Sequence, residues 1–321
     1  MNSNAKDLEQ AVSREISKVI IGKEQQVKLI VAALLAEGHI LLDDLPGVGK
    51  TTLVKCLARI LGCSSKRIQF TPDMLPSDIT GMNIFDRGTG EFKRLEGPVV
   101  TNLLLADELN RAIPRTQSAL LEAMEERQIT IDGDTVPLPR PFCVLATQNP
   151  VESESTFRLP AAQTDRFMIS LSLGYPAVEE EVRMLKTVGD SIPFEDLQPV
   201  TGKEELLKLD RQIAEEVNVS DEIMTYIASV TAATRNDPAL RLGASPRATK
   251  ALYKISKCLA AIYGRDYVTP DDIHELAPYV LCHRLVPDSR AALEGRTAKD
   301  ILLSIMDKVP VPPLTKEIFD E

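Results

Sequence analysis

The chain lacks the features on which several function classes depend. No apolar run of about 18 residues occurs anywhere in its 321 residues, so no membrane span is expected. The stretch from Met1 to Gln10 is polar, which argues against a secretory signal. The five cysteines, Cys56, Cys63, Cys143, Cys258 and Cys282, form no C-x-x-C pair. Three of them lie in apolar runs and read as buried free thiols in a reducing compartment, which points to the cytoplasm. Histidines are scattered, and the Cys282-His283 neighbours have no further ligands close in sequence, which argues against zinc. Positive charge is also short. The net charge of −10 argues against a general nucleic-acid-binding surface, though not against a local basic patch. There is no internal repeat and no low-complexity segment.

What is present is ordinary globular material, 44% hydrophobic and 26% charged, in a chain long enough for two domains. Its most informative stretch runs from Leu41 to Thr52. A short apolar strand, Ile40 to Leu42, enters a loop with Pro46, Gly47, Val48, Gly49 and Lys50, and that loop opens a helix from Thr51, through Thr52, to about Leu61. Strand, glycine loop and helix in this order form the setting of a phosphate-binding loop. Loop and helix N-terminal amides face a polyanion, and the helix dipole adds favourable potential. Lys50 would reach the β- and γ-phosphates, and Thr51 would place its hydroxyl on Mg²⁺. One position departs from the strict G-x-x-x-x-G-K-[ST] pattern: Asp44 stands where the first Gly belongs. A carboxylate facing phosphate would repel it, so Asp44 is expected to point away.

Other stretches gain meaning beside that loop. Val99 to Ala106 is an almost unbroken apolar run ending in Asp107-Glu108, as in a strand buried on both faces. Acids at its C-terminal end sit where open α/β sheets bind ligands. Asp107 suits a metal and Glu108 suits orienting a water, whereas without a phosphate loop the pair would read as a strand-end cap. Phe142 to Ala146 is another buried strand, leading to Asn149-Pro150. Asn149 either contacts a γ-phosphate or a lytic water, or starts an Asn-Pro turn. Ile20-Ile21-Gly22 just before a helix either packs on an adenine ring or makes a hydrophobic turn. Arg166, after Asp165, either pairs with that acid or projects to a neighbouring subunit's nucleotide. Ser245-Pro246 starts a helix with Arg247 in its first turn, where a cation is unfavourable, so Arg247 reads either as an anion ligand or as a solvated side chain. Glycine-bearing turns at Asp86–Gly90 and Asp132-Gly133 suggest two hairpins. Asp190 to Val200 lacks periodicity and marks a boundary.

Taken together, the motifs resemble one family. The match runs through Asp44–Thr51, Leu104–Ala112, Thr116–Met124, Ala146–Pro150, Leu159–Phe167 and Gly243–Arg247, which is similar to MoxR-type AAA+ ATPases over nearly the whole chain. MoxR-type proteins often carry an acid at the position of Asp44. The resemblance implies an α/β P-loop core with a mainly parallel five-stranded sheet over 1–190, a linker at 191–200 and a smaller all-α lid over 201–321. Hairpin insertions fall near 83–93 and 129–138. It implies that Lys50 and Thr51 are Walker A residues, Asp107 and Glu108 Walker B, and Asn149 sensor 1. Arg166 would be the arginine finger acting on the adjacent subunit. Arg247 would be sensor 2, reaching the γ-phosphate from the lid of the same subunit. Ile20, Ile21 and Gly22 would form the adenine side.

The implied activity is hydrolysis of ATP with Mg²⁺ in a homo-oligomer, usually a hexameric ring, that remodels a protein client. Family members are often paired with a protein carrying a von Willebrand factor A domain. Two rival expectations remain: a nucleotide-gated scaffold with slow hydrolysis, and an ATPase acting on nucleic acid. Phe85 and Phe92 lie in the first insertion, but no aromatic-hydrophobic-Gly pore loop is evident.

Overall fold

The computed structural model describes residues 4–44, 47–148, 157, 159–187 and 194–313. Helix α1 (Ala5–Ile16) is capped by Asn4, whose side chain accepts from the Asp7 amide, and it buries Leu8, Val12 and Ile16 at helical spacing. Helix α2 (Glu24–Leu35) is apolar along most of its length and correspondingly buried. Strand β1 (Ile40–Asp43), helix α3 (Lys50–Ile60) and strand β2 (Ser65–Gln69) follow. A short α4 (Pro76–Thr80) leads into an antiparallel hairpin, β3 (Gly81–Asp86) with β4 (Glu91–Glu96). Then come β5 (Leu103–Asp107), α5 (Pro114–Glu126) and a second hairpin, β6 (Gln128–Ile131) with β7 (Asp134–Pro137). The turn of this second hairpin is Asp132-Gly133, both at positive φ. Strand β8 (Cys143–Gln148), α6 (Ala161–Thr164), β9 (Ile169–Leu171) and α7 (Val178–Thr187) complete this part.

Five strands form one sheet in the order β2-β5-β8-β1-β9, with every neighbouring pair parallel. Alternation along the central strands divides the core in two. Leu103, Leu105, Cys143 and Leu145 face one apolar cluster, whereas Leu104, Ala106, Val144 and Ala146 face the other. Because β8 lies between β1 and β5, the loop after β1 and the acids ending β5 open on the same crevice edge.

The C-terminal part is helical: α8 (Lys203–Glu216), α9 (Asp221–Asn236), α10 (Pro246–Ile262), α11 (Pro270–Leu281), α12 (Ser289–Leu293) and α13 (Ala298–Met306). Ser220, Ser245, Thr269 and Thr297 cap four of these helices with their side chains. It is not wholly helical, because β10 (Leu240–Leu242) pairs with β11 (Val286–Pro287) in a small antiparallel ladder. One apolar cluster runs from α1 and α2 into α8 to α11, so the first two helices seat this lid on the sheet.

Candidate functional site

Gly47 and Gly49 both adopt φ +86°, a left-handed conformation that glycine enters without strain. Gly49 is the residue before α3, so the chain turns there and presents the first amides of the helix to the crevice. Ile20 reaches over this turn: a Cβ built on Gly49 would lie 4.0 Å from Ile20 Cδ1. The segment Ile20, Ile21 and Gly22 is thus beside the loop, with Ile21 buried and Gly22 at φ +72°. Val48 packs on the large apolar cluster. Lys50 Nζ donates to the Asp44 carbonyl at 3.2 Å. Pro46 lies outside the described residues.

Across the crevice, Asp107 accepts from Thr147 Oγ1 at 2.7 Å and from Arg67 Nη2 at 2.6 Å. Thr147 in turn accepts from the Glu108 amide at 2.8 Å, so one hydroxyl orients both acids. Glu108 has φ 56° and ψ 45°, a conformation that costs a non-glycine residue on the order of 1–2 kcal/mol. That kink turns its carboxylate toward Arg111, at 3.0 Å. Lys50, Thr51, Thr52, Asp107 and Glu108 line one cavity of about 240 Å³ together with Arg67 and Gln148. Gln148 Nε2 is buried there with no hydrogen-bond partner among the described residues. An orphaned donor, a lysine and helix amides suit a phosphate chain, and Thr51 with Asp107 offers the hard oxygen ligands that Mg²⁺ prefers. Asn149, expected in this wall, lies outside the described residues.

Asp44 also lines this cavity, but its carboxylate is taken up by the chain just past β9. It is only 4% exposed, and its carboxylate accepts from Ser172 Oγ at 2.6 Å, the Leu173 amide at 2.7 Å and the Gly174 amide at 3.0 Å. These bonds also explain why β9 is shorter than the apolar alternation from Phe167 to Leu173 suggests. Ladder pairing with β1 stops at Leu171, and the next amides turn to Asp44. Gly174, at φ +62°, makes that turn.

Arg166 and Arg247 meet on one carboxylate. Arg166 does not pair with Asp165. Its Nε donates to Glu125 Oε2 at 2.8 Å, on the last turn of α5, and Arg247 donates to the other oxygen of the same carboxylate. The bond from Arg166, with the charge of Arg247 behind it, holds the Glu125 carboxyl below its ordinary range. Asp165 instead accepts from Ser245 Oγ at 2.8 Å and Arg284 Nε at 2.8 Å. Arg284, 3% exposed, also donates to the carbonyls of Asp165 and Phe167. Burial, only partly offset by Asp165, lowers its guanidinium to about 10. These lid-to-core bonds keep Arg247 beside Arg166. The structure therefore does not bring Arg247 to the phosphate loop of its own chain, as the resemblance led us to expect.

Sequence reading missed Glu125, Arg67, Arg111 and Arg284. Each stands in a pattern that charged surface residues also produce, so no local signal separates them. Two histidines are structural. Burial pushes His39 down to about 4, and its Nδ1 accepts the Val144 amide at 3.0 Å. Burial, followed by the charge of Arg284, pushes His283 down to about 3.

Among the described residues no helix is long and apolar enough to cross a membrane, and no group of three or more His, Cys, Asp or Glu side chains is placed to hold a metal. Residues 39–169 match the model of the ATPase family associated with various cellular activities (AAA), and residues 232–305 match the AAA lid domain. The chain is 49% identical to the uncharacterized protein YeaC of Bacillus subtilis, with 92% of each chain covered. It is 41% identical to chaperone MoxR1 of Mycobacterium tuberculosis, covering 95% of this chain and 82% of that one. A crystal structure from Cytophaga hutchinsonii, of a protein assigned as an ATPase, superposes with TM-score 0.90 at 38% identity over 96% of both chains.

Proposed function

The chain belongs to the MoxR-type AAA+ ATPases, a family of nucleotide-hydrolysing proteins, and from that membership we propose that it hydrolyses Mg-ATP in an oligomeric ring to remodel a protein partner. One observation supports this most: the hydrolytic residues gather round one cavity, while Arg166 and Arg247 gather elsewhere. Such a division suits a site completed by a second copy. In this reading a core through about residue 190 holds the nucleotide, and the lid from 201 onward reports its state.

Lys50 and the α3 amides bind the phosphates, and Ile20 to Gly22 flank the base. Thr51 and Asp107 hold Mg²⁺, which neutralises charge on the phosphates when bound. Glu108, set by its left-handed backbone and the Thr147 hydroxyl, orients the attacking water. Asn149 serves as the sensor. Arg166 from the neighbour, joined by Arg247, offsets charge that develops during transfer.

The likeness to the chaperone MoxR1 supports a chaperone role. The β3–β4 hairpin supports protein contact, because its cross-strand Phe85–Phe92 pair stands in solvent, with Phe92 74% exposed. A client with a von Willebrand factor A domain is the partner we propose. Affinity purification with Glu108→Gln in the presence of ATP tests the reading. An ATP-dependent client is expected, whereas turnover of Glu108→Gln and Arg166→Ala near that of the unaltered protein would sink the mechanism.

A further inference from the structure

We propose that Glu125 is a positioning residue that holds Arg166 and Arg247 as one two-armed clamp for the phosphates bound by a second copy of this chain. The proposal rests on the ring reading above. Both arginines meet on one carboxylate, Arg166 through Nε on Oε2 and Arg247 through Nη2 on Oε1. A second bridge runs parallel to the first. Asp165, the neighbour of Arg166, accepts from Ser245, the cap of the helix that carries Arg247. Arg284 closes on Asp165 from the lid, so the backbones bearing the two arginines are tied together.

Electrostatics explain why an acid is needed between them. Two guanidinium groups sharing one small volume repel each other, and Arg247 sits in a helix first turn where the dipole disfavours a cation. Glu125 offsets both terms. It engages both cations at once, one carboxylate oxygen to each, while Glu122 and Glu126 line the same cavity as Arg166. Neither arginine lines the phosphate-loop cavity of its own chain, yet their side chains remain 43% and 29% exposed, Arg247 and Arg166 respectively. They can therefore meet a polyanion that arrives from outside. A triphosphate offers several oxygens of the kind Glu125 now supplies with two, so the clamp can pass from carboxylate to phosphate without rebuilding. Without Glu125 the arms splay, and misplacement of a charge-stabilising group slows transfer on the order of 100-fold.

The test uses full-length protein and subunit mixing. Glu125→Ala and Glu125→Gln should each lower kcat on the order of 100-fold, with ATP affinity at the loop unchanged by calorimetry, which also verifies folding. Mixed with Lys50→Ala, which lacks its own hydrolytic site but carries intact arginines, each should regain turnover that neither partner shows alone. A parallel mix of Arg166→Ala with Lys50→Ala controls for the ring reading. If that control is rescued while the Glu125 mixes are not, Glu125 acts within its own subunit and the proposal is overturned. Unaltered kcat in both Glu125 variants overturns it as well. If Arg166→Ala itself is fully active, the ring reading falls and takes the clamp with it.

Discussion

The Asp44 carboxylate accepts the Leu173 amide at 2.7 Å, joining the residue before the phosphate loop to the chain just past β9. Ser172 and Gly174 add two more donors to the same acid. The acid that breaks the phosphate-loop pattern is thus a buried bracket at the loop's entrance.

Asp44→Asn should weaken this bracket, since an amide nitrogen would confront donors where a carboxylate oxygen now accepts. Hydrogen bonds to a charged group contribute about 1.5–3 kcal/mol each. The variant should lose on the order of 3 kcal/mol in urea unfolding, and its Leu173 and Gly174 amides should exchange faster with deuterium. Unaltered stability would show that the bracket is redundant.

Glu108→Gln and Arg166→Ala should fail in different ways. Glutamine keeps the shape of the cavity but is a poor base, so ATP should bind and persist, as filter retention would record. Loss of a finger arginine lowers turnover about 10³–10⁵-fold, while binding of ATP to the loop of the same subunit stays intact.

Arg67 occupies one oxygen of Asp107, at 2.6 Å. A metal ion must displace it or share that carboxylate. Arg67→Ala should therefore lower the Mg²⁺ concentration required for half-maximal hydrolysis. A higher requirement would mean that Arg67 supports the phosphates instead of competing with the metal.

Acid should destabilise the protein through its buried histidines. The folded state keeps His39 and His283 neutral, down to about 4 and about 3, against 6.5 for an ordinary ring. The unfolded chain takes up those protons first, so stability is fully present above pH 6.5. It falls on acidification by up to about 1.4 kcal/mol per pH unit for each ring. The fall from His39 should end near pH 4. His39→Gln should flatten the curve between those limits, and an unchanged slope would remove His39 from the account.

The nucleotide loop was legible because its chemistry is local. Glycines, lysine and threonine must follow one another at a strand-to-helix turn, and the acids must end a buried strand, so short spacing encodes them. The central buried strands were legible for the same reason, since unbroken apolar runs such as Leu103–Ala106 mean strands covered on both faces, whereas the count of five strands came only with the family resemblance. The arginines were legible as residues but not as an arrangement. Glu125 looks like any acid near a helix end, and only packing of the lid brings Arg247 to the carboxylate that Arg166 also uses. Asp44 shows the same division. Its sequence position marks it as an exception, but its partners at Ser172 to Gly174 are distant in the chain. Pairing of charges is set by which helices and strands become neighbours, and that is a property of the packed core rather than of residue spacing.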